Sequence, residues 1–217
     1  PDGMARTFYP LPGGSTRFVS RDSWKLETMC TTQRGAGACI TTTSGDRLEF
    51  AKSDQYDVGA HPVWPMTAQL DVFGNAIEVD YRSDGRVDTI TDTWSRTVSF
   101  AYSSCGPRQC LDSITAAGAG GSREVTYSYT SFSVPPASGS RAFLTGVQPA
   151  AGPGYTYGYG ASLPVSQNRY ALTSITYPSG GTTAYTYAAR NFFTGRQDVP
   201  MAVVLNRTTS GRDLPTA

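Results

Sequence analysis

The strongest constraint on this chain is a spacing that recurs. Leu172 to Tyr187, LTSITYPSGGTTAYTY, reads as a β-hairpin. A β-prone run ends at Tyr177, a Pro-Ser-Gly-Gly turn follows, and a second run places Thr183, Tyr185 and Tyr187 on one face by alternation. Pro178 stops the first strand, and Gly180-Gly181 are expected to supply the positive φ of a tight reversal. The same plan recurs upstream. Leu144 and Val147 precede Tyr155, Tyr157 and Tyr159; Leu111 and Ile114 precede Val125, Tyr127 and Tyr129; Val87 and Ile90 precede Val98, Phe100 and Tyr102. A weaker copy runs from Met66 through Ile77 and Val79 to Tyr81, with Gln69 in the slot of the second apolar residue. From leading apolar residue to final tyrosine the spacing is 15 in four of five copies, and 18 in the Leu111 copy, where Gly118-Ala119-Gly120-Gly121 lengthens the turn. Repeats of this kind decide an architecture before any single residue does.

Alternation puts Tyr, Phe, Val and Ile on one strand face and Thr, Ser, Glu, Asp and Ala on the other, as at Thr182, Ala184 and Thr186. A sheet with one apolar face must pack on a second layer, roll up, or be covered. The fold class expected is all-β, built of consecutive antiparallel hairpins that form a strip or part of a shell. Composition agrees: Tyr (13) is the commonest aromatic, Gly reaches 23, and no long run at helical period occurs. Periodic apolar residues and a net charge of +1 argue against disorder. The near-neutral charge, without a basic block, argues against nucleic acid as a partner. No apolar run approaches the roughly 20 residues of a membrane span, and no signal-peptide pattern is present.

Three stretches follow. Residues 1–65 read as an irregular β lead-in, with turns at Asp2-Gly3 and Pro12-Gly13-Gly14 and a hairpin from Ile40 to Phe50; residues 51–65 read as a connecting loop packed by Trp64. Residues 66–187 hold the hairpin units, joined by links of variable length at 82–86, 103–110, 130–143 and 160–171. Residues 188–217 read as a loop and the start of a further repeat. The chain opens at Pro1 and stops at Leu-Pro-Thr-Ala after a strand-like run, so a piece of a longer polypeptide is expected, with edge strands available for self-association.

The four cysteines form two close pairs, Cys30 with Cys39 and Cys105 with Cys110, each bracketing a Gly-containing loop. Disulfides are the favoured reading, which implies a secreted, extracellular or cell-surface location. Free core thiols and a zinc site are the alternatives, although eight and four intervening residues suit zinc poorly. Asn206-Arg207-Thr208 matches a glycosylation sequon.

The repeats resemble the tyrosine–aspartate (YD) repeats of the RHS family. The residues that carry this are Tyr81-Arg82-Ser83-Asp84-Gly85-Arg86, Val87-Asp88-Thr89-Ile90-Thr91-Asp92 and Arg96-Thr97-Val98-Ser99-Phe100-Ala101-Tyr102. They match Tyr-Asp-x-x-Gly-Arg, Leu-x-x-Ile-x-Asp and Gly-Arg-x-x-x-Tyr-x-Tyr. Asp71-Val72-Phe73-Gly74-Asn75 resembles the variant turn Asp-x-x-Gly-Asn, and Leu172–Tyr187 fits closely. Arg82 stands where the pattern has Asp, Trp94-Ser95-Arg96 replaces Gly-Arg, and the later units lack the Asp-Gly-Arg link. The resemblance implies a hairpin strip winding into a hollow shell, as in bacterial toxins, surface proteins and teneurins. Such shells enclose toxic C-terminal domains or present a surface for adhesion. The family's self-cleaving region has no matching segment here, so no catalytic residue carries over.

The residues themselves offer little chemistry. His61 is the only histidine and sits in a Pro-flanked loop. Asp88 with Asp92, or Asp71 with Asp80, supply paired carboxylates, but aspartates in turns more often accept backbone N–H bonds. The Gly-rich runs at 118–121 and 152–160 lack the strand-to-helix context and lysine of a phosphate loop. No catalytic, cofactor or metal residue is assigned. The tyrosine rows have two readings: cross-strand packing on an inner face, or a ligand face made by Tyr155, Tyr157, Tyr159, Tyr185 and Tyr187. The function expected is a non-enzymatic structural segment of a secreted or surface bacterial protein. Its partners would be the remainder of the same polypeptide, including an enclosed toxin domain. The alternative is an adhesin module that binds carbohydrate or a receptor.

Overall fold

A computed structural model describes residues 7–12, 16–58, 61–106, 108–118, 120–133, 140–160, 170–193 and 198–211. The strands are β1 (Phe8–Pro10), β2 (Arg17–Ser20), β3 (Lys25–Thr32), β4 (Gly35–Thr41), β5 (Arg47–Ala51), β6 (Tyr56–Val58), β7 (His61–Val63), β8 (Ala68–Leu70) and β9 (Ala76–Tyr81). They continue as β10 (Val87–Asp92), β11 (Thr97–Ser104), β12 (Gln109–Ala116), β13 (Arg123–Ser133), β14 (Ser140–Gln148), β15 (Tyr155–Gly160), β16 (Ala171–Thr176), β17 (Thr182–Phe193) and β18 (Asp198–Ser210). Sixteen of them form one antiparallel sheet in chain order, with β1 and β18 at its two ends, so the sheet is not closed; β6 and β7 pair separately. The protein is all-β: among the described residues the only helical element is a 3-10 turn at Lys52–Asp54, and no helix is long and apolar enough to cross a membrane.

One turn design serves five hairpins. At Thr42–Asp46, Asp71–Asn75, Arg82–Arg86, Asp92–Arg96 and Tyr177–Gly181, the first residue's N–H donates to the fifth residue's carbonyl, and the fourth residue's N–H donates back to the first, at 2.8–3.1 Å. The fourth position has positive φ: Gly45 (92°), Gly74 (85°), Gly85 (80°), Gly180 (83°) and, in the Trp94-Ser95-Arg96 departure, Ser95 (60°). This is the three-residue loop with a left-handed residue that continues the right-handed strand twist. At Pro-Ser-Gly-Gly only Gly180 needs the positive φ; Gly181 does not adopt it. The expected acceptor role of turn aspartates holds. Asp71 accepts from the N–H groups of Phe73 (2.8 Å) and Asn75 (2.9 Å), and Asp92 from those of Trp94 (3.0 Å) and Arg96 (2.9 Å).

The lead-in is more regular than its sequence suggests, since β2 to β5 pair consecutively and use the same turn at Thr42–Asp46. The expected 130–143 link and the expected loop that opens residues 188–217 are also largely strand. Residues 130–133 and 140–143 extend the β13–β14 hairpin, and Arg190-Asn191-Phe192-Phe193 pairs with residues 198–201 in the β17–β18 hairpin. The expected turns at Asp2-Gly3 and Pro12-Gly13-Gly14, residues 134–139 of the 130–143 link and residues 161–169 of the 160–171 link lie wholly or partly outside the described residues.

The chain divides into two compact units, residues 1–100 with 116–122, and residues 101–115 with 123–217. In the first, Cys39, Leu48, Ala51, Ala68 and Val79 are among the buried apolar side chains of the described residues. The segment between β5 and β8, expected as a loop, holds the 3-10 turn and the β6–β7 hairpin. Trp64, in this segment, donates Nε1–H to Gln55 Oε1 at 3.0 Å. Tyr56 lies so close over Gly85 that a Cβ there would meet its ring at 2.8 Å. Thr67, 1% exposed, ties β5 to β8 through its N–H on the Glu49 carbonyl (2.7 Å). The buried Glu49 carboxylate accepts the Gln33 N–H (2.7 Å) and forms an ion pair with Arg47 (3.1 Å). In the second unit no described apolar side chain is fully buried; Thr183 and Ser113 are the buried side chains there.

Candidate functional site: an aromatic sheet face

Register decides where the tyrosines go. Directly opposite residues share a face, and the second unit shows two such rows. Tyr127 faces Val147, which faces Tyr155; Tyr157 faces Ile175, then Thr183, then Thr209. In the first row two tyrosines flank a valine; in the second, one tyrosine is followed by Ile and Thr. Of the candidate ligand face, Tyr155 is exposed at 40%, while Tyr157, Tyr159, Tyr185 and Tyr187 are half-buried.

The final tyrosine of a unit has a second role. Tyr81 donates its hydroxyl to the Met66 carbonyl (2.8 Å), Tyr159 to Leu144 (2.9 Å) and Tyr187 to Leu172 (2.7 Å), each 15 residues back. The recurrent spacing is thus the span of one hydrogen bond. In all three hairpins the paired register ends at the same point, at Ala68–Glu78, Gly146–Thr156 and Ser174–Ala184, and in the first a further backbone bond runs from the Val79 N–H to the Thr67 carbonyl at 2.9 Å. The tyrosine comes three residues later, and its hydroxyl joins the two strands beyond the last register pair. In the Leu111 unit, with its spacing of 18, no such bond joins Tyr129 to Leu111.

A bulge accompanies each of these tyrosines. Opposite the steps Asp80–Tyr81, Ser128–Tyr129, Gly158–Tyr159 and Thr186–Tyr187, the next strand carries one extra residue: Asp88, Thr145, Thr173 and Leu205. A bulge re-aims the neighbouring side chain, here the tyrosine that closes the hairpin. Burial is the main cause that raises the titration of Tyr81, Tyr129, Tyr159 and Tyr187 above the ordinary tyrosine value.

Sequence reasoning singled out the tyrosine rows but not the cavity beside them. A space of about 460 Å³ is lined by Tyr155, Tyr177, Ser179, Thr183, Arg207 and Thr209 among others. The Tyr155 and Tyr177 rings meet edge to face, centroids 6.1 Å apart at 73°, and the Tyr177 hydroxyl lies 3.3 Å from Thr183 Oγ1. No local signal marks it: Tyr177 opens a turn, and Arg207 comes from β18, where the neighbouring Asn206 pairs with Thr186 of β17. A separate aromatic group forms from Phe132, Phe143, Tyr159 and Tyr170, with Phe132 and Tyr170 stacked at 4.7 Å.

Both cysteine pairs are disulfides, Cys30–Cys39 with Cα atoms 6.0 Å apart and Cys105–Cys110 at 5.7 Å. The first crosses the β3–β4 hairpin; the second closes the β11–β12 tip beside a cavity of about 520 Å³ that Arg108, Ser140 and Arg141 also line. Two disulfides fit an oxidising environment. The remaining candidates are dispersed. Asp80 binds Thr89 (2.9 Å) and Arg34 (2.7 Å), whereas Asp71 and Asp92 cap different turns. The backbone of His61 pairs with Val58, and its side chain lies outside the described residues. Among the described residues no group of three or more His, Cys, Asp or Glu side chains stands where it could hold a metal ion. In the Gly-rich run at 118–121, the Gly121 N–H donates to the Gly118 carbonyl at 3.0 Å. No protein-family model matches the chain, and no curated protein matches it.

Proposed function

We propose that this chain is a non-enzymatic, structural segment of RHS/YD-repeat type, from a secreted or surface-displayed bacterial protein. It forms part of a shell that encloses a toxin domain or displays a binding surface, and its partner is the remainder of its own polypeptide. The observation that carries this reading is the tyrosine closure, repeated in register at Tyr81, Tyr159 and Tyr187. A feature that closes each hairpin at one length suits a scaffold of repeated units, and it commits those hydroxyls to the chain's own backbone. The test is the intact mass of the native protein as its source secretes it, with and without reductant. A species several times 23.2 kDa that contains these peptides supports a shell segment; a native species of 23.2 kDa overturns it.

A second reading, a carbohydrate- or receptor-binding module, is favoured by the cavity at Tyr155 and Tyr177. Its volume falls within the roughly 300–1,000 Å³ of small-molecule sites, and it joins aromatic rings to hydroxyls and a guanidinium. Glycan-array binding that Tyr155→Ala abolishes at unchanged stability supports it. Unaltered binding in that variant removes the cavity from consideration.

A further inference from the structure

We propose that the free edge of β18 is a strand acceptor, built to receive the tyrosine-bearing second strand of a further hairpin of this repeat in the same polypeptide. The inference rests on the repeat reading above and is argued from register. In β10, β14 and β16, the leading apolar residue (Val87, Leu144, Leu172) lies opposite the preceding unit's final tyrosine (Tyr81, Tyr129, Tyr159), and the residue after it is the bulged one. All three strands are internal, paired on both sides. In β18 the same arrangement recurs: Val204 lies opposite Tyr187, and Leu205 is the bulged residue. β18 thus has the local geometry of an internal strand at the end of the sheet.

The edge itself agrees. Sheets protect their edges by keeping them short, charged or interrupted by proline. The opposite edge, β1, does so, with three residues that end in Pro10. β18 has 13 residues, with Pro200 near its start and no charged residue from Val199 to Asn206. Val204 and Leu205 are exposed at 54% and 55%.

The occupant follows from the internal cases. The Leu144 and Leu172 carbonyls receive the hydroxyl of a tyrosine on the following strand, three residues beyond that strand's last ladder pair. The strand that fits β18 is therefore antiparallel, ends its ladder opposite Asn206, and carries a tyrosine three residues further on that donates to the Val204 carbonyl.

The chain's own β17 strand is such a sequence, so the probe is a synthetic peptide of residues 182–191, TTAYTYAARN, and its Tyr187→Phe version. Hydrogen exchange of the 217-residue protein is measured with each. The expected result is at least about tenfold slower exchange in β18, confined to that strand, with the phenylalanine peptide binding roughly 3–10-fold more weakly. Unchanged exchange at saturating peptide, or equal affinity for the two peptides, overturns the proposal. The same exchange measurement on the native secreted protein separates this inference from the reading it rests on. A large native species whose β18 exchanges as fast as that of the isolated chain sinks the strand acceptor and leaves the shell segment standing. A native species of 23.2 kDa sinks both.

Discussion

The two compact units follow one hairpin plan and bury it differently. In the first, the insertion between β5 and β8 brings Tyr56 over Gly85 and ties Thr67 to Glu49, and Leu48, Ala51, Ala68 and Val79 are buried. In the second, β13 to β18 keep the same bulges and tyrosine closures while their aromatic face stays half-exposed. Tyr81 in the first unit and Tyr159 and Tyr187 in the second make the same bond. The hairpin geometry is therefore local: turn, bulge and hydroxyl specify it, and a covering layer adds stability without setting the register.

The sharpest way to break this contrast is truncation. Leu48→Ala in the first unit is expected to cost about 2–4 kcal/mol, the range for a buried large-to-small change, and Tyr157→Ala in the second only about 1–2, because the ring is half-exposed. Equal shifts in urea midpoint would mean that the second unit's face is covered as well as the first.

Next in size is the closure itself. Tyr187→Phe removes one hydrogen bond and is expected to cost about 1 kcal/mol at neutral pH. Tyr129→Phe, whose hydroxyl makes no bond to Leu111, should cost less. The sign with pH is determined. The unfolded chain loses its tyrosine protons near the ordinary tyrosine value of 10.0, while burial makes the folded Tyr159 and Tyr187 hold theirs to higher pH. The stabilisation is complete below that value and is lost as pH rises through the folded ones. Thermal melts of wild type and Tyr187→Phe should converge under alkaline conditions; parallel curves would separate the closure from the raised titration.

Smaller, and opposite in sign, is Ser95→Gly. Ser95 occupies a left-handed position that glycine fills in the four matching turns, so the substitution should stabilise by about 0.5–1 kcal/mol. A destabilised variant would mean that the Ser95 side chain offsets its backbone strain. The least effect belongs to the turn carboxylates. Asp71 and Asp92 titrate below the ordinary aspartate value, chiefly through hydrogen bonds from the Asn75 and Arg96 side chains. Their contribution is present above the unfolded value and is lost as pH falls through the lower folded one. Asp92→Asn should flatten the acid limb of a stability–pH curve, and an unaltered limb would remove the Arg96 contact from the account.

Much of this was legible in the sequence, because it depends on period and spacing. Alternation at Tyr155, Tyr157 and Tyr159 and turn residues such as Gly74 and Gly180 report local geometry directly, and the interval of 15 marked a contact before its chemistry was known. The cysteine spacing pointed to the disulfides for the same reason. The rest depends on neighbours distant in sequence. Nothing local marks Asp88, Thr145 or Thr173 as bulged, since a bulge belongs to a pair of strands. The regular pairing of β2 to β5 was hidden because Cys30–Cys39 and the Gly-Ala-Gly run look like a loop, whereas both lie within paired strands. The Tyr155–Tyr177 cavity needs Arg207 from β18, 30 residues beyond Tyr177.

The tyrosine bond also acts as a gauge. A hydroxyl that must meet a carbonyl 15 residues back accepts one hairpin length and rejects others, as the unbonded 18-residue copy illustrates. Hairpins of one calibrated length can be duplicated or deleted whole without retuning their neighbours. Changes of one or two residues inside a hairpin must instead be absorbed within it. A gene that encodes such units is free to vary in copy number while each copy stays on gauge.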